Sequence, residues 1–346
     1  MMLRTMFSAP LDPVADTVRA AAERLLGGGG MAIDRVSGGG NNRLYRVASG
    51  GFVGALKFYP RVAGDQRDRL QTEFAALNFM TANGIIQVPT PIAADPEGGC
   101  ALYSWIEGTG IGQPEAADID AAAAFVPRLD HLTDRPAAVG LAPASEACLS
   151  GDELERQLRQ RLERLRAIPE PELAKFLDAE LTSALEQSIR QARSSLGNAF
   201  DATLPAECRT LSPSDFGFHN ALRGKDGKLV FLDFEYFGWD DPAKLVCDFM
   251  LHPGMSLTPM DRQRFFTRVA PVWFRDRDFM NRVRSFHPLY RLRWCLIILN
   301  EFLPERWQRR ALAGGGDQIE TQARQLAKAR RLLEDINEPA PFPQPA

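Results

Sequence analysis

The chain has 346 residues and a mass of 38.4 kDa, enough to bury one large core or two smaller ones, and its 45% hydrophobic and 25% charged content is ordinary for a globular protein. A net charge of −3 and a pI of about 5.9 give no reason to expect a nucleic-acid partner, and no apolar run approaches bilayer-spanning length, residues 294–299 being the longest. The opening MMLRTMFSAPLDP lacks the apolar core of a secretion signal, and the cysteines (Cys100, Cys148, Cys208, Cys247, Cys295) form no C-x-x-C. A cytoplasmic protein with structural thiols, without a membrane partner, is therefore expected, rather than a disulfide framework or a zinc site.

In chain order, residues 13–26 space their apolar side chains as a helix and run into Gly27 to Gly30, a natural stop. Three short strands are expected next, over 32–36, 43–47 and 52–59. Between the first two lies Ser37-Gly38-Gly39-Gly40-Asn41-Asn42. Consecutive glycines let a backbone approach a ligand closely and aim its N–H groups at phosphate oxygens, although most glycine clusters are only turns. Lys57 is flanked by Leu56 and Phe58 and shares a strand face with Ala55, so its ammonium either meets an anion or reaches back to water. The segment DQRDRLQTEFAALNFMTANG reads as a helix ending near Gly84, with Glu73 beside a stripe of Leu70, Phe74, Leu77, Phe79 and Met80. Val88-Pro89-Thr90-Pro91 separates it from another strand pair that closes at residues 101–108. From 114 to about 204 the pattern is helical, over 116–132, 150–167 and 171–196, and a last helix is expected over 317–336. The Arg and Glu residues of these helices fall at the spacing of surface pairs.

The most informative stretch is LSPSDFGFHNALRGKDGKLVFLDFEYFGWDD, residues 211–241. Asn220 follows Asp215 by five residues, a turn signal follows at Gly224-Lys225-Asp226-Gly227, and the apolar run 229–232 delivers Asp233 and Glu235. Asp-Gly between apolar runs favours a tight turn, because glycine takes positive φ without steric cost. Such a hairpin brings Asn220 and Asp233 together beside Asp215, three oxygen-bearing side chains able to hold a hard cation. The plain alternative is a surface hairpin that happens to carry acids.

This is the D-x-x-x-x-N, hairpin, D-F layout of kinase-type phosphoryl transfer. With Asp233-Phe234-Glu235 followed by Asp241-Pro242 and Asp248, it resembles the aminoglycoside phosphotransferase and choline kinase branch of that superfamily, over most of residues 30–250. The resemblance implies an α+β, protein-kinase-like two-lobed fold: a small N-terminal antiparallel β-sheet lobe with one helix, and a larger, mainly helical C-terminal lobe. The division it suggests is a helical extension over 1–30, a nucleotide-binding N-lobe over 31–106, a C-lobe over 107–340 with the catalytic loop and acceptor-binding helices, and a tail over 341–346.

It also implies ATP, or GTP in its place, and Mg²⁺ as cofactors, with a small-molecule hydroxyl as acceptor. Asp215 takes the role of base, and Lys57, paired with Glu73, that of fixing the α/β-phosphates. Ser37, Gly38, Gly39, Gly40, Asn41 and Asn42 cover the phosphates, and backbone groups of Ser104, Trp105 and Ile106 read the adenine edge. Asn220 and Asp233 hold the metal; Glu235, two residues on along the same strand face, reaches the metal or only hydrogen-bonds behind it. Asp248 anchors the catalytic loop. The superfamily's His two residues before the base is here Pro213, which bears on the packing of the loop, and His219 needs no catalytic role.

Residues 261–310 carry twelve arginines interleaved with aromatics, read mostly as a core with solvated arginines. A basic acceptor lobe repels polycations, so the expected acceptor is a neutral or anionic metabolite, a sugar or sugar derivative first. A choline- or aminoglycoside-type kinase of a cationic acceptor and a catalytically silent nucleotide-binding module are the alternatives. A protein kinase is disfavoured, since no Ala-Pro-Glu segment follows Asp233.

Overall fold

The structure is a computed structural model that describes residues 13–28, 30–36, 43–60, 67–307, 317–337 and 342. Its N-terminal lobe is a five-stranded antiparallel sheet in the order β1-β2-β3-β5-β4, with β1 Ala32–Val36, β2 Arg43–Ser49, β3 Phe52–Phe58, β4 Pro91–Asp95 and β5 Cys100–Ser104. β2 and β3 are joined by Gly50 and Gly51, both at positive φ (56° and 88°), the two-residue turn whose twist matches that of the strands.

Side-chain alternation divides β3 between two cores. Leu56 and Phe58 turn to one face, where with Tyr45, Val47, Cys100 and Leu102 they meet helix α1 (Pro13–Leu26) through Val18, Ala21 and Ala22. The helix expected as a separate extension thus shares a core with the sheet, its small residues at i, i+3 and i+4 letting it lie close. Lys57 points to the opposite face, towards α2 (Arg69–Ala82). The Asp68 side chain caps α2 by accepting from the Gln71 N–H (2.9 Å), and Gly84, at φ 81°, lies just past its end.

The larger lobe is mainly helical: α3 (Ala116–Asp130), α4 (Gly151–Arg166), α5 (Pro171–Lys175) continuing through a π turn into α6 (Thr182–Leu196), α7 (Pro242–Leu251), α8 (Pro259–Val269), α9 (Phe279–Ile298) and a C-terminal helix, Gln318–Glu334. Two small sheets sit at its mouth. In one, β6 (Gly108–Gly110) pairs with β8 (Ala221–Gly224), which pairs with β9 (Leu229–Phe231); in the other, β7 (Thr210–Ser212) pairs with β10 (Gly238–Asp240). None of the helices described is long and apolar enough to cross a membrane.

The arginines of residues 261–310 differ from expectation. Arg282, Arg291 and Arg293 are buried, and several of the others are paired. Arg282 forks onto Asp241 (3.0 and 3.1 Å), Arg293 reaches Asp248 (3.2 Å) and Glu146 (2.9 Å), Arg264 and Arg268 share Asp120 (2.6 Å each), and Arg275 holds Asp130 (2.9 Å). The neutralising acids come from distant segments, so the local sequence could not show them.

An aromatic cluster binds these parts. Phe125 of α3 contacts Phe216, Phe231 and Phe234 at ring-centroid distances of 5.7, 4.6 and 6.5 Å, and Phe216 in turn contacts Phe249 of α7 (5.3 Å). These phenylalanines border Asp215 and Asp233, so core packing sets where both carboxylates stand. Phe125→Ala should therefore cost about 3–5 kcal/mol of stability, read as a lowered urea midpoint; a midpoint equal to that of the parent would show that the cluster is not the brace proposed here.

Candidate active site

The hairpin closes on its Asp-Gly turn: the Gly227 N–H donates to Gly224 O (2.9 Å), the Gly224 N–H donates to Lys228 O (2.9 Å), and Gly227 has φ 77°. The ladder pairs Ala221 with Phe231, and one step on the Leu232 N–H donates to Asn220 O (2.8 Å). Strand pairing alone thus places Asn220 opposite the residue before Asp233.

Asp233 leaves the strand at φ 65°, a left-handed conformation that Asp adopts more readily than most residues. Its Oδ1 accepts from Lys57 Nζ at 2.6 Å, and the same ammonium donates to Glu73 Oε2 at 2.6 Å. Glu73 also accepts from the Tyr59 hydroxyl (2.7 Å), itself 2.7 Å from the Tyr103 hydroxyl, and from the Phe234 N–H (3.3 Å). One carboxylate therefore joins β3, α2 and the Asp-Phe-Glu segment. Burial opposes the charge on Lys57, but Glu73, Asp233 and Glu235 more than offset it and its pKa is raised. Burial lifts Glu73 above the ordinary carboxylate range despite Lys57 and Tyr59, with Asp233 adding to the rise.

Asp215 follows Ser214, a serine at φ 66°. That serine is pinned on three sides: its N–H donates to Ser212 Oγ (3.0 Å), its Oγ donates to Ser145 O (3.2 Å), and Lys244 Nζ donates to its Oγ (3.2 Å). With Pro213 in place of a histidine, these contacts carry the packing of the loop. Asn220 Nδ2 donates to Asp215 O (3.0 Å) and Oδ2 (3.2 Å), which leaves Asn220 Oδ1 as the oxygen able to face a metal. Asp215 Oδ1 meets His219 Nε2 at 3.0 Å, with His252 Nε2 at 3.6 Å. The two imidazoles stack at 3.7 Å, parallel within 1°, and Trp294 packs edge-on against His252 at 4.4 Å.

The Asp215 side chain is 32% exposed. Burial pushes its pKa up, but the hydrogen bond and charge of His219, the charge of His252 and the Asn220 amide bring it down to about 2. Burial, with His219 and Lys328, brings His252 to about 3 against the pull of Asp215, so its ring is neutral near neutral pH and charged only in the acid range where Asp215 titrates.

Beneath the loop lies Lys244, wholly buried, with Nζ 2.7 Å from Asp240 and 3.3 Å from Asp248. Asp248 does not bond to the catalytic loop as the resemblance implied. It pairs with Arg293 and Lys244, and Lys244 carries the link to Ser214. The four-residue spacing of Asp240, Lys244 and Asp248 is a signal the sequence offered. Nothing in the sequence connects His252, Tyr59 or Tyr103 to the site, and His219, set aside there, contacts Asp215 directly.

Other expectations need correcting. β9 ends at Phe231 and the bend at Asp233 breaks the strand alternation, so Glu235 does not share a strand face with Asp233. It is buried 3.7 Å from Arg69 at the start of α2. The oxygens of Glu73, Asp233 and Glu235 lie within 4.8 Å of one another, yet the Arg69 pairing favours a role in holding α2 to the bend over metal ligation. Of the three adenine-edge positions, Ser104 has its N–H engaged by Thr90 O (2.8 Å), which leaves its carbonyl and the backbone of Trp105 and Ile106 as candidates. Ser37, Gly38, Gly39, Gly40, Asn41 and Asn42 lie outside the described residues.

The profile of a protein family described as the phosphotransferase enzyme family, APH, matches residues 32–279. The chain belongs to this family. The choline kinase LicA from Streptococcus pneumoniae is similar in structure at 16% identity and a TM-score of 0.59, over 94% of this chain and 100% of that one. The spectinomycin phosphotransferase APH(9)-Ia, solved with ADP and spectinomycin, gives 10% and 0.57 over 87% and 92%. A Plasmodium vivax ethanolamine kinase gives 10% and 0.56 over 88% and 84%. At these identities the likeness concerns the fold, which is the two-lobed protein-kinase-like one. No curated protein sequence matches the chain. The chain is a phosphotransferase of the class with an alcohol group as acceptor.

In this phosphotransferase the depressed pKa of Asp215 has a consequence for stability. A carboxyl whose folded pKa lies below its unfolded value stabilises the fold above the unfolded value, and that contribution is lost as pH falls through the folded one. With roughly 3.9 unfolded and about 2 folded, the loss falls between those two pH values. Urea midpoints should drop across that window, and Asp215→Asn should remove part of the drop; an identical profile in the variant would contradict the low pKa.

Proposed function

We propose that the phosphotransferase transfers the γ-phosphoryl group of Mg·ATP to a hydroxyl of a small neutral or anionic acceptor. The observation that carries this reading is that three groups of one loop and hairpin and a fourth from distant β3 form one connected cluster: Asn220 bonds to Asp215, its backbone pairs with the residue before Asp233, and Asp233 bonds to Lys57. A cluster that keeps all four also argues against a catalytically silent module.

Asp215, ionised and partly open to solvent, orients the acceptor hydroxyl and accepts its proton as the oxygen bonds to phosphorus. Lys57, fixed by Glu73, presents its ammonium to the α/β-phosphates. Asn220 Oδ1 and the Asp233 carboxylate are hard oxygen donors of the kind that suit Mg²⁺. When bound there, the ion neutralises charge on the phosphate oxygens. The loop Ser37–Asn42, the Ser104 carbonyl and the backbone at Trp105 and Ile106 are the candidates for holding the rest of the nucleotide. ADP in the spectinomycin phosphotransferase structure supports an adenine nucleotide over GTP.

The acceptor rests on different ground from the sequence argument, because several of the arginines thought to repel a cation pair with acids of the same lobe. What supports a neutral or anionic acceptor is the surroundings of Asp215: His219, His252 and Trp294, with the positive Lys328 acting on His252. Among the groups described around it, Asp215 is the carboxylate, a poor setting for a polycation. A sugar or sugar derivative is the class to test first.

A metabolite panel incubated with Mg·ATP and read by mass spectrometry should give a phosphorylated sugar or other uncharged or anionic alcohol. Phosphorylation of choline or an aminoglycoside alone would sink the acceptor assignment. Asp215→Asn should lower kcat by on the order of 10²- to 10⁴-fold, and Asp233→Asn should abolish turnover together with its metal dependence. Near-full activity in Asp215→Asn would remove the base, and ATP binding indifferent to Mg²⁺ in a thermal-shift titration would favour the silent module.

A further inference from the structure

We infer that His219 is a positioning residue of the phosphotransfer reaction, locking the Asp215 carboxylate by donating its Nε2–H to Oδ1 while a stack of His252 and Trp294 fixes the plane of its ring. The inference rests on the proposed role of Asp215 as base.

An aspartate carboxylate turns easily about its last side-chain bond, since that torsion is broad. The Asn220 amide holds Oδ2 (3.2 Å), and one hydrogen bond leaves the carboxylate plane able to swing about it. His219 Nε2, 3.0 Å from Oδ1, supplies the second point and fixes the plane. The imidazole has the same soft torsion. It is held by the His252 ring lying parallel on its face at 3.7 Å, with Trp294 edge-on behind.

His252 is itself well determined. The Gly254 N–H donates to its Nδ1 (3.0 Å), so in the neutral ring the proton sits on Nε2, the atom 3.6 Å from Asp215 Oδ1. The next carbonyl, Pro253 O, accepts from Lys328 Nζ (2.7 Å) of the C-terminal helix. A line of contacts thus runs from the last helix through the 252–254 loop and two stacked imidazoles to one carboxylate oxygen. Aim matters for a base, because misplacement by about 1 Å can cost on the order of 10²-fold in rate.

The same three side chains bring ligand atoms within 4.8 Å, which raises a metal site as the rival explanation. The rings argue against it. Imidazole lone pairs lie in the ring plane, and parallel planes 3.7 Å apart send them side by side instead of converging on one ion. His252 Nε2, moreover, carries the proton that ligation would have to remove.

The test uses the full chain with Mg·ATP and the acceptor identified by the panel, or the slow hydrolysis of ATP by water if none is found. His219→Ala should lower kcat by about 10- to 100-fold, with the KM for ATP and the half-maximal Mg²⁺ concentration unchanged. His219→Gln, whose amide can donate from a similar reach, should recover most of the loss. A His219→Ala enzyme with parental kcat, a Gln variant no better than Ala, or a loss confined to ATP or Mg²⁺ affinity would each overturn the inference. Long-range ¹⁵N–¹H spectra of the parent should show His219 protonated on Nε2 and shifted in Asp215→Asn. An unprotonated Nε2 would refute the contact whether or not the alanine variant folds. The spectra need no turnover, so a parent with no phosphotransfer activity would count against the proposed function while the spectra still decide the His219–Asp215 bond.

Discussion

A buried ammonium shared between two carboxylates holds this molecule's working parts in register. Lys57 comes from β3, Glu73 from α2 and Asp233 from the bend after β9, so the interaction exists only when sheet, helix and C-terminal lobe are all in place. Removing Lys57 would leave Glu73 and Asp233 facing each other without a cation, which is far costlier than losing a surface pair, whereas removing either carboxylate still leaves the ammonium one partner. The Tyr59 hydroxyl and the Phe234 N–H complete the coordination of Glu73, so the arrangement has well-satisfied hydrogen bonds as well as opposite charges.

The same logic recurs wherever the backbone departs from comfortable conformations. Three non-glycine residues among those described take positive φ: Glu146, Ser214 and Asp233. Each is held by a basic side chain of low exposure, Glu146 by Arg161 and Arg293, Ser214 by Lys244, and Asp233 by Lys57. Strain of about 1–3 kcal/mol per residue persists because charge-assisted bonds over-determine the local shape. Two of these residues set the carboxylates proposed for the chemistry, Asp233 directly and Ser214 as the neighbour of Asp215.

What was legible in the sequence is what depends on short range. The five-residue step from Asp215 to Asn220, the Asp-Gly turn and the apolar run before Asp233 are local, and strand pairing turns them into a site with few other choices. The apolar neighbours of Lys57 left two readings open, an anionic partner or a reach to water; the resemblance to the kinase layout, with the helix that follows β3, pointed to Glu73. Glu235 was misjudged because strand alternation was carried through a bend that only the left-handed Asp233 reveals. The arginines of residues 261–310 looked solvated because Asp120, Asp130, Asp241 and Asp248 lie far off in sequence. His252 reaches Asp215 from the end of α7 by tertiary packing alone.

Helix α1 ends before the family profile begins at residue 32, and most of α9 lies beyond its end at 279. Yet α1 shields Val47, Leu56 and Leu102 from water on the outer side of the sheet, and α9 supplies Arg282, Arg293 and Trp294. A fragment trimmed to residues 32–279 would bare one face of the sheet, strand Asp241 without Arg282 and leave Asp248 with Lys244 alone. The unit that folds is therefore longer than the segment the family profile matches, and expression boundaries for this chain belong outside both of those helices.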